Sequence, residues 1–337
     1  MVCSHKRFLI IALLLGSFPS CTRAEVEDTK PTLESMGSSE IQLPGVDPFQ
    51  DQKTKKAIAS LCDEIKDFYA RNKWGRVPPC TEIPFSVFGW SVKKRPLVSF
   101  EVGPTDSTKK TIVQCGIHGD ELPALPMCLY LIEEIRLSKR PPPTGIRLVI
   151  QPLLNPDGML GTRKPTRNNA NGVDINRNFP TKDWTAKAHV SWKTKDRADP
   201  RKFPGAQSNS EPETRAILAA IEREKPQKII SIHTPLGFLD LDTKGSKKGA
   251  DADKLRRARY LAVNMSKNSG NYKFKSFGFY PGSLGNWAGN ERDIPVYTLE
   301  LPPGGSKSTV DSHWKKFRVA LWRAVDFDLD TGQFVED

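Results

Sequence analysis

Apolar residues recur at helical spacing between about Lys53 and Lys73, at Ile58, Leu61, Ile65, Phe68 and Tyr69, and predict a helix there. Phe85 to Trp90 and Pro96 to Val102 read as two strands joined by a turn at Lys93 and Lys94. Beyond them the period keeps switching. Continuous apolar runs predict strands at Thr111–Ile117, Arg147–Leu154, Lys228–Ile232 and Val296–Leu299. Amphipathic stretches predict helices near Glu121–Leu137, Glu211–Lys225, Asp251–Ser269 and Val310–Val325. Such alternation implies an α/β fold: a mostly parallel, mixed sheet with helices on both faces. No internal repeat and no second compositional regime interrupts it. One domain over residues 52–328 is expected, with residues 329–337 as a C-terminal tail.

The first fifty residues obey neither rhythm. His5, Lys6 and Arg7 precede an apolar run from Phe8 to Leu15, and small and turn-forming residues follow. This is the layout of a secretory signal, so residues 1–24 are expected to direct export to the periplasm or cell envelope. Two cleavage readings compete. Thr22-Arg23-Ala24 suits signal peptidase, whereas Phe18-Pro19-Ser20-Cys21 is a weak lipobox that would make Cys21 a lipid anchor. Residues 25–51, polar and broken by prolines and glycines, read as a flexible arm. No run reaches the ~18 apolar residues that a membrane span needs.

Hydrophobic residues at 37% and charged residues at 27% describe a globular chain. The 51 basic and 39 acidic residues give +12; removal of Lys6, Arg7 and Arg23 with the signal leaves 48 against 39, or +9. This balance favours an anionic partner without choosing one. No basic run with interleaved aromatics occurs, so nucleic acid is not expected as a partner. After export four cysteines remain. Cys62 and Cys80 can close a loop as a disulfide, whereas Cys115 in an apolar strand and Cys128 on an apolar helix face read as plain core.

Candidate chemistry sits where the predicted strands end. The run Thr-Ile-Val-Gln-Cys-Gly-Ile leads into His118, with Glu121 three residues on. Lys-Ile-Ile-Ser-Ile leads into His233, and Val-Tyr-Thr-Leu into Glu300. In parallel α/β sheets, sites form outside the carboxyl ends of the strands. Only five histidines exist in the chain, and two of them occupy these ends. Two imidazoles and one carboxylate with a fourth position open form a catalytic zinc set. Glu300 is then free to act as general base.

Five motifs carry a resemblance: His-Gly-Asp-Glu at 118–121, Asn-Pro-Asp-Gly at 155–158, Gly-Val-Asp-Ile-Asn-Arg-Asn-Phe-Pro at 172–180, Ser-Ile-His-Thr at 231–234 and Thr-Leu-Glu-Leu-Pro at 298–302. In this order they resemble the carboxypeptidase A-type (funnelin) zinc metallocarboxypeptidases, over about residues 85–325. The resemblance implies one Zn2+ per chain on His118, Glu121 and His233, with Glu300 as base. It implies that Asn176 and Arg177 clamp the substrate's terminal carboxylate and that Asp174 orients the first zinc histidine. Arg167 falls where that family stabilises the oxyanion, with Arg163 a rival. Tyr280, in Phe-Tyr-Pro-Gly-Ser-Leu-Gly-Asn-Trp, stands near the family's mobile substrate-binding tyrosine, and packing against Pro281 is the other reading.

The wording of these motifs is similar to that of bacterial murein peptide amidases, which cut the γ-D-glutamyl–diaminopimelate bond of cell-wall stem peptides. A peptide with a free terminal carboxylate is therefore the expected partner. A pocket selecting ordinary basic C-termini wants an acid at its base, and the candidate wall residues Leu284 and Asn286 offer none. Two alternatives stand beside this reading: an exported carboxypeptidase trimming ordinary C-termini, and an inactive wall-binding module. Other hydrolase and nucleotide signatures (His-Glu-x-x-His, Gly-x-Ser-x-Gly, Gly-x-Gly-x-x-Gly) are missing. Pro-Gly-Gly-Ser-Lys-Ser at 303–308 lacks the spacing of a phosphate-binding loop.

Overall fold

The apolar runs become the centre of an eight-stranded mixed sheet. A computed structural model describes residues 51–75, 79–245 and 249–335, so the expected signal, most of the arm and Cys21 lie outside the described residues. The strands are β1 (Ser86–Trp90), β2 (Pro96–Val102), β3 (Lys109–Cys115), β4 (Ile146–Gln151), β5 (Lys228–His233), β6 (Phe238–Asp242), β7 (Phe274–Lys275) and β8 (Val296–Glu300). Their spatial order is β1-β2-β4-β3-β5-β8-β6-β7. The four middle strands β4, β3, β5 and β8 run parallel, and β2 and β6 flank them antiparallel. The four parallel strands are buried almost throughout, as a sheet covered on both faces requires.

Helices α1 (Gln52–Asn72), α2 (Ala124–Arg136), α6 (Gly249–Lys267) and α7 (Lys307–Asp326) pack with Val113, Cys115, Ile230, Ile232, Tyr297 and Leu299 into the larger core. The opposite face of the same strands, Ile112, Val149, Ile229 and Val296, packs on α5 (Pro212–Glu224) and on a π-helical turn, Gly285–Asn290. Helices α3 (Pro156–Met159) and α4 (Trp184–Thr194) complete the α-helices of the described residues. From β3 the chain steps to β4 on one side and returns to β5 on the other, which opens a crevice at their carboxyl ends.

Several boundaries move for local reasons. The strand expected to reach Ile117 stops at Cys115, because Gly116 takes φ +65° and its carbonyl accepts from Asn155 N at 2.8 Å. The helix expected from Glu121 starts at Ala124, so Glu121 presents its carboxylate from a turn. The segment from residue 329 is no loose tail as far as Val335. Leu329 is buried, and Gln333–Phe334 (β10) pairs with Phe327–Asp328 (β9).

One expectation about cysteine is overturned. Cys62 and Cys80 do form a disulfide, but so do Cys115 and Cys128, which had been read as plain core. Helix α2 lies on the face of the sheet to which Cys115 points, and this brings their Cα atoms to 6.3 Å.

Candidate active site

Three strand ends converge. His118 follows β3 at the end of a turn, His233 closes β5 and Glu300 closes β8, where His233 and Glu300 are register partners. Glu121 lies between the two histidines. Its Oε1 is 2.7 Å from His118 Nδ1 and its Oε2 is 2.9 Å from His233 Nδ1. The far nitrogens are occupied as well: His118 Nε2 lies 3.2 Å from Asp174 Oδ1, and His233 Nε2 lies 3.0 Å from Ser231 Oγ. Both Nδ1 atoms therefore face one point with the opposite ring edge anchored, which is how metal-bound histidines are held. The three donor atoms lie within 4.8 Å of one another, and all three residues are buried. This donor set fits zinc in number and type.

Why the turn after β3 has this shape is legible in its neighbours. A Cβ on Gly119 would fall 2.3 Å from the carbonyl carbon of Gly158, so only glycine lets the His118 turn lie directly on the Asn-Pro-Asp-Gly segment. Asn155 accepts from Gly158 N at 2.9 Å and donates to the Arg167 carbonyl at 3.1 Å. Asp157, buried beneath, accepts from Ser91 Oγ, Lys93 N and Arg95 Nη1. The segment thereby clamps the backbone of Arg167 against the histidine turn. Arg167 in turn donates from Nε to Asp174 Oδ2 at 2.8 Å, and its Nη1 lies 3.4 Å from Glu121.

Asp174 is the hub. Besides Arg167 and His118 it accepts from Asn176 N at 2.9 Å. Burial works to raise its carboxyl, but the Arg167 guanidinium and His118 outweigh that and hold it well below the usual carboxylate range. The same contest is won by the two imidazoles at Glu121, whose carboxyl is also held low. Glu300 goes the other way. Burial raises it and the Glu121 charge adds to the effect, against the pull of His233 and an N–H from Leu236 at 3.3 Å.

A cavity of about 700 Å³ opens over these groups, lined also by Asn176, Arg177 and Arg167. Asn176 Oδ1 accepts from Leu284 N at 2.8 Å. Arg177 donates to the Asn176 carbonyl at 2.8 Å, yet its buried Nε has no hydrogen-bond partner, and no carboxylate pairs with it among the described residues. Burial pushes its guanidinium below the ordinary value. Tyr280 stands behind it. Its ring centroid is 3.9 Å from the guanidinium carbon, and its hydroxyl donates to Asp196. Arg163, the rival to Arg167, is exposed and outside the cavity. At the rim Arg201 and Lys202 are already paired, with Asp120 at 2.6 Å and Asp196 at 2.7 Å.

Sequence reasoning passed over Ser231, Asp196 and the acids Asp240 and Asp242 on β6. For Ser231 a signal existed, since residues two apart on a strand share a face.

Residues 80–319 match the zinc carboxypeptidase family, and the chain belongs to it. Within that family, murein peptide amidase A of Vibrio campbellii is 30% identical over 245 residues, which is 71% of this chain and 88% of that protein. The murein peptide amidase A of Escherichia coli K12 is 30% identical over 246 residues, 72% of this chain and 90% of its own. Among solved structures, carboxypeptidase A from Helicoverpa armigera superposes with a TM-score of 0.57 at 20% identity, over 79% of this chain and 72% of that one, and shares the fold.

Proposed function

We propose that this chain is an exported zinc-dependent hydrolase that removes a terminal residue from peptides, acting on the γ-D-glutamyl–diaminopimelate bond of peptidoglycan stem peptides. The observation that carries the reading is Arg177. A guanidinium with a buried, unpaired Nε, in the cavity that holds the His-Glu-His set, is a site prepared for a carboxylate. The relatives named murein peptide amidase, which this chain covers over 88% and 90% of their length, support a murein peptide as substrate.

His118, Glu121 and His233 would hold one zinc per chain, which when bound supplies a Lewis acid beside the scissile carbonyl and lowers the pKa of water. The remaining work falls to the chain's own groups. Glu300 takes a proton at its carboxylate and returns it to the leaving amine, and its raised pKa suits it to both tasks. Arg167, fixed by Asp174 through Nε and with Nη1 beside Glu121, has Nη2 left to stabilise the developing oxyanion. Arg177 and Asn176 hold the terminal carboxylate, and Tyr280 backs Arg177 through its ring. Asp174 orients His118.

Export is supported by the basic-then-apolar start of the chain and by two disulfides, which persist in oxidising compartments. Residues 1–24 then act as the signal and the following residues to 51 as an arm. The mass of the mature protein separates cleavage after Ala24 from lipidation at Cys21. No helix among the described residues is long and apolar enough to cross a membrane.

The test is product analysis by mass spectrometry. L-Alanyl-γ-D-glutamyl-meso-diaminopimelate should release diaminopimelate, and amidation of the carboxylate beside the scissile bond should abolish release. Metal analysis should find one zinc per chain, lost in His118→Ala and His233→Ala. An intact tripeptide after incubation with zinc-loaded enzyme would refute the substrate, and zinc retained in both variants would refute the site.

A further inference from the structure

The hydroxyl of Tyr280 is taken. It donates to Asp196, which lies at no strand end and in no motif, while the ring stands with its centroid 3.9 Å from the Arg177 guanidinium carbon. Asp196 uses its other oxygen as well. Its Oδ1 accepts from Lys202 Nζ at 2.7 Å, and its side chain is only 6% exposed. One acid thus joins Lys202, in the lining of the cavity, to Tyr280, the ring against Arg177. Burial lowers the Arg177 guanidinium, and the charges of Asp174 and Asp196 act against that burial.

The backbone explains why Asp196 faces inward. Helix α4 ends at Thr194 and the chain turns back at once. Lys195 N and Asp196 N both donate to the Ser191 carbonyl, at 2.8 and 3.2 Å, and Ala198 N donates to the Trp192 carbonyl at 2.9 Å. Arg197 and Ala198 both take φ +55°, left-handed backbone that costs side-chain-bearing residues stability. Trp192 Nε1 closes the turn on the Asp199 carbonyl at 2.7 Å, and its ring packs against Phe203. Such strain persists where the surrounding structure holds a side chain in one place. Tyr280 has little of that support from its own segment. Residues 276–279 before it are exposed, and a Cβ on Gly278 would meet nothing within 4 Å. The bond to Asp196 therefore fixes the far end of its ring.

We infer that Asp196 is a positioning residue for substrate binding: by latching the Tyr280 hydroxyl it holds the ring against Arg177, so that the guanidinium meets the terminal carboxylate in one fixed plane. Tyr280 then serves as a platform, and its hydroxyl is no donor to the substrate. A guanidinium backed by a ring loses less freedom on binding than one held only by its stem. The inference rests on the proposed function for the carboxylate that Arg177 receives. It replaces the mobility that the resemblance implied for Tyr280 with a fixed place.

The test uses the full zinc-loaded chain and L-alanyl-γ-D-glutamyl-meso-diaminopimelate, with KM and kcat measured for the parent, Asp196→Ala, Tyr280→Phe, the double variant and Tyr280→Leu. Asp196→Ala and Tyr280→Phe remove the two ends of one charge-assisted bond. Each should raise KM about tenfold with kcat within a few-fold, and the double variant should be no worse than either alone. Tyr280→Leu loses the ring too and should raise KM about tenfold beyond Tyr280→Phe. An unchanged KM in Asp196→Ala, or losses that multiply in the double variant, would overturn the inference. So would equal KM values for Tyr280→Phe and Tyr280→Leu, which would leave the hydroxyl as the only active part; that comparison stands even if Asp196→Ala does not fold. Failure of the two ideas is separable. If the tripeptide is inert but N-benzoylglycyl-L-phenylalanine is cut with the same ranking of variants, the latch stands and the murein substrate falls. If every variant cuts the tripeptide with the parent's KM, the murein substrate stands and the latch falls. A parent that cuts neither peptide refutes the carboxylate clamp, and the inference goes with it.

Discussion

Glu300 and Asp174 are buried carboxylates within one site, and opposite environments give them opposite uses. Glu300 is raised by burial and by Glu121, so it binds a proton more readily than an exposed glutamate. Glu300→Gln should lower kcat roughly 100- to 10,000-fold while zinc content stays unchanged, because the base is no ligand. A kcat within a few-fold of the parent would remove Glu300 from that role. Asp174 is depressed by Arg167 and His118. A group lowered on folding contributes stability above its unfolded pKa, about 3.9, and loses it as pH falls toward the folded value. Metal-free Asp174→Asn should therefore be less stable than metal-free parent by about 3 kcal/mol at pH 7. Urea unfolding should show the gap narrowing only below about pH 4. A gap that is the same at pH 3 and pH 7 would mean that the charge of Asp174 is not its source.

At the scale of elements, the site depends on turns that carry no chemistry. Gly282 takes φ +77°, and a Cβ there would fall 1.9 Å from the Arg177 carbonyl oxygen. That oxygen also accepts from Trp184 Nε1 at 2.8 Å, while Gly282 N donates to Thr181 and its carbonyl accepts from Phe179 N. The turn before the π-helix is thus locked to the segment that carries the clamp. Gly282→Ala faces the left-handed penalty of about 1–2 kcal/mol as well as the clash. The variant should show a KM raised at least tenfold with kcat less affected, because the clamp moves and the base does not. An unchanged KM would separate the turn from the clamp. A similar dependence explains the Asn-Pro-Asp-Gly motif, whose Asn155 fixes the backbone of Arg167 and touches no substrate-facing atom.

At the scale of the molecule, the two disulfides found among the described residues tie the larger core together. Cys62–Cys80 joins α1 to the segment before β1, and Cys115–Cys128 joins β3, three residues before His118, to α2. Loops of this length are worth about 3 kcal/mol each. The double variant Cys115→Ala with Cys128→Ala should lose about that much stability to urea. Thiol titration of the unfolded, non-reduced mature parent should find no free cysteine. Two free thiols would return Cys115 and Cys128 to plain core.

What the chain determined by itself is local or sequential. The end of an apolar run marks the carboxyl edge of a parallel strand, so His118, His233 and Glu300 declared their meeting place without coordinates, and the period of the runs declared the α/β architecture. Spacing from His118 likewise placed Glu121, whereas Asp174 and the Asn176–Arg177 pair were placed only by the resemblance of their motif to the zinc carboxypeptidases. Other features depend on which distant segments face one another, and packing decides that. The choice of Arg167 over Arg163 came from the Asn-Pro-Asp-Gly segment holding one backbone against the histidine turn while the other side chain stays in solvent. Cys115 and Cys128 meet because α2 crosses the strand on one of its two faces. Asp240 and Asp242 stand on the face of the sheet that carries Glu300 because β6 pairs with β8 in one register, and a slip of one residue would have turned both acids to the opposite face. Register and facing are set by burial summed over the whole sheet, which no short stretch of sequence contains.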